Sequence, residues 1–133
     1  MSVIELLGRV LFAFIFVKTM PGHFSAGTIG YAAQAGVPMA SLLVPLSGVI
    51  AGVGGLSVAL GYYTRVGAGL VVLFLVPVTL SLHAFWSAPD AQRQMQVIQF
   101  TKNLALIGAA LMVMAHGAGP LSLDARRRQP ANV

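Results

Sequence analysis

The sequence predicts an all-α integral membrane four-helix bundle, on three observations. Of its 133 residues 57% are hydrophobic and 8% are charged, against roughly a quarter charged in soluble domains. The apolar residues run in long blocks instead of alternating with polar ones, a pattern that needs lipid around it. Four blocks, residues 3–20, 42–60, 66–85 and 97–115, each approach the roughly 20 residues that carry a helix across the hydrocarbon core.

The first block stops at Pro21-Gly22-His23-Phe24, because proline and glycine do not continue a helix comfortably. Its run from Val10 to Val17 and the small residues Ala33-Gln34-Ala35 invite comparison with a cleaved leader. The small residues lie too far beyond the run, and a single Arg with Glu5 precedes it, so cleavage is not expected. From Ala26 to Ala35 the connection becomes weakly helical before Gly36-Val37-Pro38, which predicts a short interfacial or re-entrant helix between the first and second spans.

The second block carries small residues at Ser47, Ala51, Gly55 and Ala59 beside Gly48 and Gly52. In lipid, close backbone approach over small residues supplies packing contact. The ridge is a helix-packing surface, inside one bundle or between copies. Only Gly61-Tyr62-Tyr63-Thr64-Arg65 separates the second block from the third, which makes the two an antiparallel hairpin. Pro77 removes a backbone donor inside the third and should bend it. Residues 87–96 hold Pro89, Asp90, Gln92, Arg93, Gln94 and Gln96, and read as a connection in water. The fourth block begins after them. Residues 1–124 form one domain in this reading, and 125–133 a polar basic tail expected to be disordered.

The net charge is +5, but three of the basic residues cluster at Arg126, Arg127 and Arg128 and the others are scattered. This is the charge pattern of membrane orientation rather than of nucleic-acid binding. Arg9, Arg65 and the three tail arginines share one face, and Lys18, Arg93 and Lys102 the other. The positive-inside rule then puts both termini in the cytoplasm. With no cysteine, disulfides, thiol relays and thiolate-held metals are excluded.

Charged groups inside a membrane are costly and each invites a functional question. Glu5 and Arg9, four apart with the acid first, are expected to pair. Lys18 and Lys102 reach water along their stems, and Lys102 is flanked by Gln99 and Asn103 on one helix face. His83, Phe85 and Trp86 end the third block on the same outer side, where His23 begins the first connection. Lys18, His23, His83, Trp86, Gln99, Lys102 and Asn103 are therefore the candidate residues of one outward pocket, with imidazole as its proton carrier. A haem between His83 and His116 within one chain is excluded because they lie about a bilayer thickness apart. His23 and His83 could share a metal, but nothing in their spacing demands one and no acidic cluster accompanies them. There is no nucleophile with a partnered base and no phosphate-binding glycine loop. Any chemistry would need a bound small molecule or another subunit.

The order of Phe16-Val17-Lys18, Ala26 to Tyr31, Ala35-Gly36-Val37-Pro38, Gly54-Gly55-Leu56, Gly61 to Arg65, His83-Ala84-Phe85-Trp86, Gln99 to Gly108 and Gly117 to Asp124 resembles the DoxX family of four-helix bacterial membrane proteins. Similar sequences often have an acid where this chain has Ala51, and His-Asp-Phe-Trp where it has Ala84. The resemblance implies a small membrane subunit of an oxidoreductase system, akin to those passing electrons from thiosulfate to quinone. On that expectation a quinone-type carrier binds at the outer face and His83 moves protons. Lys18 and Lys102 stabilise developing negative charge, Asn103 orients a carbonyl and Trp86 stacks. A partner oxidoreductase subunit and a homo-oligomer are compatible with it. The alternatives are a non-catalytic scaffold for a partner complex and a carrier of a small hydrophobic metabolite.

Overall fold

The computed structural model describes residues 2–128. Helix α1 (Ser2–Thr19) runs into a 3-10 turn (Met20–Phe24) that leads to the short α2 (Ala26–Gln34). Three long helices follow, α3 (Ala40–Leu60), α4 (Thr64–Leu82) and α5 (Asp90–His116), with a second 3-10 turn (Phe85–Ser87) before α5 and a short α6 (Leu123–Arg128) at the end. No strand occurs among the described residues.

Local chemistry sets these boundaries. Ser25 caps α2 by accepting the Thr28 N–H at 3.2 Å, while its own hydroxyl donates to the Gly22 carbonyl at 2.8 Å. Gly61 ends α3 at φ +67°, in the left-handed conformation that lets its N–H and that of Tyr62 turn back on the carbonyls of Val58 and Ser57. The hairpin between α3 and α4 is as tight as the sequence implies.

Helices α3 and α5 have mean hydropathies of 2.0 and 1.6, and the stretch Thr64–Ser87 reaches 2.1, so three helices are long and apolar enough to cross a membrane. The 18 residues of α1 include Glu5, Arg9 and Lys18, and that charge content sets it apart. The protein is thus an all-α membrane protein.

Helix α3 is the centre of the packing, with α1 and the first 3-10 turn on one side, α4 on another, and α5 on the far side of α4. The small residues of α3 make this possible. A β-carbon on Gly48 would strike His23, and one on Gly52 would strike Met20. One on Gly55 would come within 2.9 Å of the Phe16 β-carbon, and one on Gly54 within 2.8 Å of the Gly67 carbonyl oxygen on α4. These glycines therefore pack elements of the same chain. Phe16, Ala51, Val71, Leu75 and Ala110 form the central core, drawn from α1, α3, α4 and α5. Large apolar side chains such as Leu11, Leu73 and Met112 cover the outside, the surface a bilayer would meet.

Two expectations need correcting. Helix α5 begins at Asp90, so most of the polar stretch read as a connection is its first two turns, steadied by the Arg93–Asp90 ion pair at 2.8 Å. At 27 residues and 1.5 Å per residue it is about 40 Å long, more than the roughly 30 Å of the hydrocarbon core, so its polar first turns extend beyond the apolar span. Lys102 consequently lies some 18 Å along α5 and not at its end. Of the tail, Ala125–Arg128 is the end of α6. Residues 129–133 lie outside the described residues.

Candidate functional site

The end of the bundle where α1 finishes and α4 ends holds a cavity of about 420 Å³ between α2, α3 and α4. Its walls are mainly apolar, with Ala32, Val37, Val44, Pro77 and Leu82 prominent, and its polar groups are His23, Thr28, Ser47 and Ser81. The hydroxyl of Ser47 donates to the Val44 carbonyl at 2.7 Å, and that of Ser81 donates to the Pro77 carbonyl. Both keep lone pairs but have committed their hydrogens to their own helix. His23 Nδ1 sits 3.1 Å from the Thr19 carbonyl. A carbonyl can only accept, so Nδ1 carries the proton and Nε2 of the neutral ring is an acceptor. The ring packs edge-on against Phe74 at 5.6 Å between centroids.

A second cavity of about 370 Å³ adjoins the first across Ala35, Ser81 and Leu82. Tyr31 and Gln96 line it, and the Gln96 amide joins three elements, donating to the Tyr31 hydroxyl at 3.2 Å and meeting His83 Nδ1 at 2.9 Å. Gln96 is therefore the residue through which α2, the end of α4 and α5 are tied.

The seven residues expected to share one outward pocket are distributed over several places. His23 lines the larger cavity, and His83 reaches Tyr31 through Gln96. Trp86 lies in an aromatic group with Phe85 and Phe100, at centroid distances of 5.2 and 5.9 Å. Lys102 donates to Gln99 Oε1 at 2.5 Å on the exposed side of α5. Lys18 lies over the Phe14 ring at 5.8 Å. Asn103 turns inward, 4% exposed, and donates to the Thr79 hydroxyl at 3.0 Å, which fastens α5 to α4. The reason is geometric: Lys102 and Asn103 are adjacent in sequence, and a rotation of about 100° per residue puts them on different faces.

The opposite end, where α6 meets the α3–α4 turn, holds what the sequence does not announce. Asp124 accepts hydrogen bonds from the N–H groups of Tyr63 and Thr64 at 2.8 and 2.9 Å and from the Thr64 hydroxyl at 2.8 Å. Burial alone would raise its pKa, but these donors together with the Arg127 charge outweigh that and hold the carboxyl below its ordinary value. Arg127 stacks over the rings of Tyr63 and Tyr62, at 4.4 and 5.3 Å, and donates to the Tyr63 hydroxyl at 3.0 Å. Glu5 and Arg9 do not make the expected ion pair. Arg9 instead donates to the Leu121 carbonyl at 2.6 Å, and among the described residues the ion pair is Arg93–Asp90. The sequence signal was Asp124 itself, an isolated acid after the Gly119-Pro120 turn.

Comparison with known proteins decides the family. The model of the SURF4 family matches residues 1–129. The chain belongs to the SURF4 family. It is 29% identical over 128 residues to the inner membrane protein YphA of Escherichia coli, covering 93% of this chain and 90% of that one. The inner membrane protein YqjF of the same organism is 31% identical, over 90% of this chain and 88% of its own. A Surfeit locus protein 4 homolog of Drosophila melanogaster is 25% identical over 94% of this chain, which spans 41% of that longer protein. No solved structure matches. The SURF4 match corrects the resemblance to the DoxX family, and the oxidoreductase and quinone reading that depended on it falls with it. Motif order common to small four-helix membrane proteins points to the wrong family here. The multi-pass, inner-membrane character agrees with the two Escherichia coli relatives and with the apolar helices.

Proposed function

We infer that this SURF4-family chain is a membrane-embedded binding protein that holds the apolar part of an amphiphile in its outer cavity and performs no chemistry on it. One observation carries this reading: a cavity of about 420 Å³ whose walls are apolar and whose few polar groups include the acceptor-poised His23. That volume lies within the roughly 300–1,000 Å³ of small-molecule sites, which combine apolar walls with a small number of polar groups that set orientation. His23, Thr28, Ser47 and Ser81 can orient a headgroup, and among the described residues His23 hydrogen-bonds the Thr19 carbonyl and none of these hydroxyls.

The same reading makes α1 a fourth span. Its apolar stretch from Val10 to Val17 lies between Arg9, which is held by Leu121, and Lys18, whose stem can carry its ammonium to water. Arg9, Arg65, Arg126, Arg127 and Arg128 then lie at the cytoplasmic end together with both termini, and residues 1–124 form one membrane domain.

The test is displacement of a fluorescent fatty acid from the purified protein in detergent, with Ala32→Phe and Ser47→Phe used to fill the cavity. Retained thermal stability with lost probe binding is the expected result. Probe binding that is undiminished in both folded variants would remove the assignment.

A further inference from the structure

A second site lies at the opposite end of the bundle and is independent of the outer cavity. Arg9 is 4% exposed, and beyond its bond to the Leu121 carbonyl its Nε and Nη1 are buried without a partner. Among the described residues no carboxylate lies within ion-pair distance of it. Asp124 is committed to Tyr63 and Thr64, and Glu5 is packed against Gly119. A desolvated guanidinium with one neutral acceptor is an unusually costly arrangement, which the charges of Asp124 and Glu5 offset only from beyond ion-pair distance.

Arg9 and Arg126 line a cavity of about 390 Å³ whose other walls include Leu6, Leu60, Leu121 and Leu123. The surrounding end of the bundle carries five arginines, at 9, 65, 126, 127 and 128, against the two acids Glu5 and Asp124, an excess of three positive charges. Guanidinium groups suit phosphate, because their fixed donors match its oxygens.

We propose that this cavity binds a phosphate-bearing anion, with the exposed Arg126 making the contact and the buried Arg9 attracting the charge from below. The flanking leucines match the first methylenes beside a lipid headgroup, so the phosphate of a membrane lipid fits the whole cavity, whereas free phosphate fits its charged part alone. With both termini at the cytoplasmic end, the lipid would come from the inner leaflet. The anion site itself does not depend on that orientation.

The experiment uses the full chain in mild detergent and native mass spectrometry, titrating phosphatidylglycerol, phosphatidylcholine and inorganic phosphate separately. Phosphatidylglycerol should be retained in preference to phosphatidylcholine. Arg126→Gln should weaken its retention about fivefold, the effect of one basic group near an anionic surface. Arg127→Gln should leave retention unchanged, because that guanidinium is stacked on Tyr63. Phosphate that binds with the same Arg126 dependence, while the two lipids are retained equally, would identify free phosphate as the source. Equal losses in the Arg126 and Arg127 variants would reveal only general surface charge and overturn the proposal, as would binding of neither lipid nor phosphate. Arg9→Gln should abolish retention; should it fail to fold, the exposed Arg126 still decides the matter.

Discussion

Asp124 caps α4 from a distance of sixty residues, its carboxylate accepting both the N–H and the hydroxyl of Thr64 at 2.9 and 2.8 Å. The first N–H groups of a helix have no partner within it, and here the side chain that satisfies them comes from α6 instead of the preceding residue. The backbone answers in kind: the Asp124 N–H donates to the Gly61 carbonyl at 2.7 Å. The end of the chain is thereby pinned to the turn between α3 and α4.

Asp124→Ala should therefore lower stability by about 1 kcal/mol, the usual value of a lost cap, with Asp124→Asn milder because it can still accept. The pH dependence has a definite sign. The folded carboxyl has a depressed pKa, so its contribution is complete above the ordinary unfolded value of about 3.9 and is lost as pH falls through the lower folded value. Thermal unfolding in detergent should show little change from this group between neutrality and pH 5, then a fall in acid that Asp124→Asn removes. An acid limb of the same size in that variant would contradict the cap.

Gly52 and Met20 make the second prediction. No space exists for a β-carbon at Gly52, where the Met20 side chain lies, and Gly48 stands in the same relation to His23. Gly52→Val should cost about 1–3 kcal/mol through overpacking and separate the 3-10 turn from α3. Gly52→Val combined with Met20→Ala should recover part of that loss, because the methionine is what the new methyls meet. Melting temperatures of the three variants check it.

Asn103 and Thr79 supply the third. Their side chains meet in the interior at 4% and 2% exposure, with the amide donating to the hydroxyl at 3.0 Å. Interhelical hydrogen bonds in membranes average about 0.6 kcal/mol and reach roughly 1.7. A double-mutant cycle with Asn103→Leu and Thr79→Val should give a coupling in that range. Additive losses would show that the two residues act independently.

How much of this was legible in the sequence follows from what hydropathy can see. The long helices stood out because apolar blocks of membrane length and low charge are costly to expose to water, and the Gly61–Arg65 interval was too short for anything but a hairpin. The first turns of α5 were hidden because Asp90, Gln92, Arg93 and Gln96 are polar, although Pro89 followed by Asp90 is a helix-start signal. The bond between Asp124 and Thr64 was hidden on a different ground: no local pattern reports a partner sixty residues away. The same limit dispersed the expected outer pocket. Composition put Lys102, His83 and Trp86 at one end, but the rotation of α5 and the choice of Gln99 and Gln96 as partners are tertiary facts.

Pro77 and Ser81 carry the last prediction. Proline at 77 cannot donate to the carbonyl of Leu73 one turn earlier, and the Ser81 hydroxyl bonds to the Pro77 carbonyl one turn later. Both residues line the outer cavity, so the wall of that cavity is the stretch where α4 is least able to maintain a regular ladder. Pro77→Ala restores the missing donor. The expected outcome is a higher melting temperature together with weaker binding of a fluorescent fatty acid, because the proline ring is part of the cavity wall. Ser81→Ala leaves Pro77 in place and removes only the hydroxyl, so it should change probe affinity less than Pro77→Ala does. If Pro77→Ala stabilises the protein while probe affinity is unaltered, Pro77 has no part in shaping the cavity.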